Sequence, residues 1–177
     1  NQTTFQLYQN SNSVGMAWIA DGVFNTGTQI ELTRVWSALA AYEHIWNPKW
    51  RTAVGGGYVN VDYNGTATNL INARLPGAGP ANCGVVAAGG QIAAFTPLAG
   101  NSCSPDYSFW EAYTRTQWNP VPQLDIGMEV LYQHNNTAFK GPANLAANLS
   151  RPAVLNGVID DQNVWSAMFR WQRNFYP

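Results

Sequence analysis

Charge is the first thing this sequence is short of. Only 11% of its 177 residues are charged, well under the roughly 25% of an average soluble domain, and the formal net charge is −1. So weak a charge lacks the basic footprint that nucleic-acid binding or a polybasic membrane contact needs; no nucleic-acid partner is expected. Long apolar runs are missing too. Nowhere do about 18 apolar residues follow one another, so no transmembrane helix is encoded. That test does not touch membrane strands, which carry apolar residues only at alternate positions. The chain opens at Asn1 with neither a Met nor a signal peptide's basic, apolar and small-residue regions, and reads as processed or partial.

Polarity comes instead from 19 Asn and 10 Gln, and bulk from 23 aromatic residues. That mixture suits a protein polar on one surface and greasy on the other. There are 2 cysteines. Cys83 and Cys103 lie in a Gly/Ala/Pro/Asn-rich stretch without a nearby His or second Cys pair, so no metal site is expected. A disulfide closing that loop is the favoured reading, worth roughly 3 kcal/mol by loop entropy in an oxidising compartment; two unpaired thiols is the other.

Alternation is clearest over 123–135, where Leu124, Ile126, Met128, Val130 and Tyr132 oppose Gln123, Asp125, Gly127, Glu129 and Gln133. The final segment sets Trp165, Ala167, Phe169, Trp171 and Phe175 against Ser166, Arg170, Gln172 and Asn174. Segment 31–46 sets Leu32, Trp36, Tyr42 and Trp46 against Glu31, Thr33, Ser37 and Glu43. Segment 50–63 sets Ala53, Val59, Val61 and Tyr63 against Thr52, Asn60 and Asp62, and segment 107–118 sets Trp110, Ala112 and Trp118 against Glu111, Arg115 and Gln117. The whole chain, 1–177, thus reads as one all-β portion of an antiparallel transmembrane barrel in meander order. Its strands, about seven, are expected near 3–9, 14–24, 30–46, 50–63, 107–118, 123–139 and 162–176.

Connections sort into two kinds. Asn47-Pro48-Lys49 and Asn119-Pro120-Val121-Pro122 are tight turns, where Pro presets φ and cannot join a ladder. The segments 64–106 and 140–161 are long and rich in Gly, Pro, Ala and Asn. Short turns at one end and long outer loops at the other are the pattern of an outer-membrane barrel. Trp46, Trp50, Trp118, Phe175 and Tyr176 fall at the short-turn end, as membrane-interface aromatics should, and Tyr63, Tyr107, Trp110, Tyr132 and Trp165 fall toward the other.

On this alternation the pore-lining candidates are Glu31, Glu43, Asp62, Glu111, Arg115, Asp125, Glu129 and Arg170. Catalytic residues and a cofactor are not expected. His44 and His134 fall on the outward face without a Ser and carboxylate pattern beside them. Asp160 and Asp161 are neighbours, and neighbours on a strand point to opposite faces. Asn64-Gly65-Thr66 and its like match the glycosylation pattern at the rate 19 asparagines would give by chance. Gly55-Gly56-Gly57 lacks the Lys-Ser/Thr and helix of a phosphate loop.

The stretches 32–64, 109–141 and 160–177, with WNPKWR (46–51), WNPVPQLDIG (118–127) and RWQRNFYP (170–177), resemble the C-terminal half of the general porins of α-proteobacteria. That resemblance implies a sixteen-stranded barrel that assembles as a homotrimer among outer-membrane lipids and passes small hydrophilic solutes and ions by passive diffusion. It implies Arg115 and Arg170 as basic wall groups facing acids of a constriction loop that belongs to the N-terminal half. About seven strands cannot close such a barrel, so the chain reads as a fragment. Two other functions fit the composition: a secreted, disulfide-stapled all-β module stacking sugars on exposed aromatics, and an outer-membrane barrel enzyme acting on lipid. Release without detergent would point to the module, and lipid hydrolysis to the enzyme.

Overall fold

A computed structural model describes residues 4–9, 13–73, 83, 95–145 and 153–175. Its strands are β1 (Thr4–Gln9), β2 (Val14–Ile19), β3 (Gly22–Val23), β4 (Glu31–Leu32), β5 (Arg34–Asn47), β6 (Trp50–Asp62), β7 (Phe95–Pro97), β8 (Tyr107–Trp118), β9 (Leu124–Asn136), β10 (Gly141–Leu145), β11 (Val154–Ile159) and β12 (Gln162–Arg173), with one helix, α1 (Gly65–Asn72). The residues fall into two compact units. Unit 1 comprises Asn1–Trp36, Asn60–Ser108 and Asn135–Gln162; unit 2 comprises Ser37–Val59, Phe109–His134 and Asn163–Pro177.

Unit 2 is built from the long strands, ordered β12-β9-β8-β6-β5 in one sheet. Neighbours in that order are neighbours in the chain among the long strands, a meander. The tight turns are built by their asparagines. Asn47 Oδ1 accepts from the amides of Lys49 at 2.9 Å and Trp50 at 3.1 Å, an Asx turn that Pro48 stiffens. In the second turn Asn119 Nδ2 donates to the Leu124 carbonyl at 3.2 Å. The turns also tie to each other and to the end of β12: Asn119 N–H donates to Lys49 O at 2.8 Å, and Asn174 N–H to Gln123 O at 2.8 Å.

Unit 1 holds a second sheet, ordered β1-β2-β11-β10-β7. β1 and β2 form an antiparallel hairpin, and β2 meets β11 through one parallel bridge, Ile159↔Val14. The opening segments are therefore strands of this sheet, and the stretches read as long loops carry α1, β7, β10 and β11. Asn64 caps α1 by accepting from Ala67 N–H at 2.8 Å, while Ala67 and Ile71, one turn apart, are buried. The unit's core collects Val14, Met16, Val61, Ile71, Phe95, Phe139 and Ile159; Phe95 and Phe139 rings lie 5.0 Å apart. Each such side chain, fully buried, contributes roughly 1.5–3 kcal/mol. Thr137 laces segments distant in sequence, accepting from Met16 N–H at 2.7 Å while its own N–H donates to Asp161 at 3.0 Å.

Two expectations are corrected here. Segment 30–46 is broken at Thr33, whose N–H turns to Asp21 O at 3.3 Å, so β4 pairs with β3 in a separate two-stranded sheet. Tyr63 is not an exposed interface aromatic. It is buried, stacked on Trp18 at 5.9 Å, with its hydroxyl donating to Trp18 O at 2.7 Å.

Candidate functional site

Alternation along the sheet of unit 2 sends successive side chains to opposite faces, and contacts sort the residues face by face. One face is aromatic. At the turn end Trp50 stacks on Trp118 at 5.4 Å, His44 meets Trp46 edge-on at 4.3 Å, and Trp46 Nε1 donates to Thr52 Oγ1 at 3.1 Å. Toward the far end Trp110 packs on Tyr132 at 5.1 Å, Tyr132 on Trp165 at 4.7 Å, and His134 Nδ1 lies 2.6 Å from Asn163 Oδ1. Trp46 is 65% and Trp165 72% exposed, so this face presents bare aromatic surface. Phe175, also exposed, has the Arg173 guanidinium 5.2 Å from its ring centre. Tyr176 lies outside the described residues.

The other face carries the charges. Glu43 on β5 pairs with Arg51 on β6 at 3.6 Å, and Glu111 on β8 accepts from Gln133 on β9 at 3.2 Å. Gln117 on β8 donates to Asp125 on β9. Arg115, Asp125, Glu129 and Arg170, from three neighbouring strands, line one hollow of about 60 Å³. Arg170 also donates to Gln172 on its own strand. Among the described residues neither arginine has a carboxylate within ion-pair distance.

The structure places Glu43, Glu111, Arg115, Asp125, Glu129 and Arg170 on one face of the unit 2 sheet, whereas Glu31 belongs to unit 1. That carboxylate sits on β4 in unit 1 and accepts from Asn64 Nδ2 at 2.7 Å. Asp62 also falls away from the group. Val61 and Tyr63, on either side of it, are both buried in unit 1, and alternation turns Asp62 the other way. The expected faces of β6 are in fact inverted. Thr52, placed with the polar set, shares the aromatic face with Trp46 and touches Thr116 at 3.2 Å, whereas Arg51 joins the charges. The apolar odd positions at the end of β6 exist because they enter the core of unit 1, which a reading based on lipid alone cannot distinguish.

Arg51 is thus a residue of the charged face that the sequence reading left out, and Tyr113 is a second. A Cβ on Gly55 would lie 2.7 Å from the Tyr113 Cε1, Cζ and hydroxyl oxygen, so the ring rests on bare backbone of β6. Glycine is required there by close approach. The Gln117–Asp125 and Glu111–Gln133 contacts fix how β8 lies against β9. Glu129, midway between Asp125 and Gln133, comes opposite the stretch of Tyr113 and Arg115.

Elsewhere, Lys140 bridges Asp160 at 3.0 Å and Asp161 at 2.6 Å. The two carboxylates converge because they lie between β11 and β12, where strand alternation does not apply. No group of three or more metal-ligating side chains occurs among the described residues. Cys83 and Cys103 are joined in a disulfide, and Asn72 Nδ2 donates to the Cys103 carbonyl at 3.0 Å, holding it to α1.

A family model described as the porin subfamily matches residues 6–168. No curated protein and no solved structure matches the chain.

Proposed function

The chain belongs to the porin subfamily, a channel family, and on that premise we propose that the charged face of unit 2 lines a water-filled pore for passive diffusion of small hydrophilic solutes and ions across a bacterial outer membrane. One observation carries this reading: a single sheet of long strands with exposed aromatics at both ends of one face and seven charged groups of both signs on the other. Such a sheet suits lipid on one side and water on the other. The strands of that sheet run 12 to 14 residues, more than the roughly 9–11 that a tilted strand needs to cross the hydrocarbon core. No bond chemistry is required of such a pore; charge near its wall sets ion preference through short-range fields.

Assembly as a homotrimer among outer-membrane lipids is part of the same reading. Its test is conductance. The protein in planar bilayers should show discrete current steps, and Arg115→Ala and Arg170→Ala should each move the zero-current potential in a salt gradient toward cation preference. Unchanged selectivity in both variants would remove these arginines from the ion path.

A further inference from the structure

The charged face contains an aromatic side chain, Tyr113, that the pore reading leaves without a task. Tyr113 lies against the Gly55 backbone, so close that any Cβ there would overlap three of its atoms. The contact runs through Cε1, Cζ and the hydroxyl oxygen, and Tyr113 is only partly buried, so part of its ring stays accessible. Its hydroxyl forms no hydrogen bond among the described residues, although Gln117, Gln133 and Glu111 on the same face are all engaged. Arg115, two residues along β8, stands without a carboxylate partner, and Glu129 comes opposite the two from β9. An aromatic ring and a planar guanidinium on β8 therefore share one face with a carboxylate on β9, and Arg115 and Glu129 line one hollow.

These three groups match one ligand chemistry. A pyranose ring presents a flat face of C–H groups, which pack on an aromatic surface as apolar groups do, and a rim of hydroxyls that are both donors and acceptors. Arg115 offers forked donors and Glu129 accepting oxygens to such a rim. A small inorganic ion could use the arginine and the carboxylate but has no use for the ring. We propose that Tyr113, Arg115 and Glu129 form a stacking subsite for the pyranose ring of a neutral sugar in transit; this rests on the reading that their face lines the pore.

The test uses the protein in planar bilayers with maltose as probe and sorbitol, an acyclic polyol without a ring face, as control. Maltose should reduce the current in a saturable manner beyond the reduction sorbitol gives. Tyr113→Leu should weaken the maltose effect by about 3- to 10-fold, the span that loss of one aromatic contact gives, and Tyr113→Phe should keep the stacking. Current steps with identical maltose and sorbitol responses, or a maltose response unchanged in Tyr113→Leu, would overturn the subsite while leaving the pore intact. Absence of current steps in every form would remove the pore reading and the subsite with it.

Discussion

Lys140 shows how a single residue can be read for its dependence on pH. Donation to Asp161 first and Asp160 second holds its ammonium above the ordinary value of 10.5, and the same contact holds the Asp160 carboxyl below its ordinary 3.8. The raised lysine contributes stability that is complete below 10.5 and is lost as pH climbs through its folded value. The depressed aspartate contributes stability that is complete above 3.8 and is lost as pH falls through its folded value. The cluster is therefore at full strength across the whole neutral range. Lys140 and Asp160 side chains are about half exposed, so solvent screening keeps the contribution within about 1 kcal/mol. Lys140→Ala should lower amide protection around 137–145 and 153–161 by no more than about fivefold at pH 7, and by almost nothing in 1 M salt; a large, salt-independent loss would contradict this account. At this scale the sequence was legible where one face is polar throughout. That Arg115, Asp125, Glu129 and Arg170 share a face is what alternation predicts, whereas the place of Arg51 on that face was hidden because its strand changes what it packs against partway along.

The elements were legible where one face is apolar and the other polar, and obscure where protein covers one of them. β9 and β12 alternate as expected. β5 carries apolar residues on both faces, Leu39 and Ile45 being exposed opposite its aromatic side, and β6 ends in a protein core. Short elements left almost no signal: β7 has three residues and β10 five, too few for a period, and Asn64 reads as readily as a loop residue as it does as a helix cap. The cap is testable. Asn64→Ala removes the acceptor for Ala67 N–H and the donor to Glu31, and should cost about 1 kcal/mol, read as faster hydrogen exchange across 65–72. The tight turn gives a second case: Asn47→Ala frees two amides at once, and each lost bond of this kind costs about 0.5–1.5 kcal/mol. The thermal midpoint in detergent should fall, and an unchanged midpoint would mean the turn is held by Pro48 and the strands alone.

For the molecule as a whole, the all-β architecture was legible from turn spacing and alternation, and family membership from the resemblance carried by stretches such as WNPKWR (46–51) and RWQRNFYP (170–177), but the second sheet was not. Its strands come from segments as far apart as residues 4 and 159, and pairing over such separations leaves no local mark. The Cys83–Cys103 bond spans 20 residues in that unit. Its reduction should destabilise unit 1 by roughly 3 kcal/mol. Proteolysis of the detergent-solubilised protein, with and without reductant, should show new cleavage within unit 1 and leave the long strands of unit 2 protected.

The same bond bears on how the protein is made. Both sulfurs lie between β6 and β8, close enough in the chain to find each other before any distant strand has arrived, and a bond between them needs an oxidant that the bacterial cytoplasm does not offer. If the finished protein resides in the outer membrane, thiol oxidation becomes a step of its biogenesis during passage through the periplasm. Cells lacking periplasmic thiol oxidase activity should then accumulate the chain in a reduced, protease-sensitive form before it reaches its membrane.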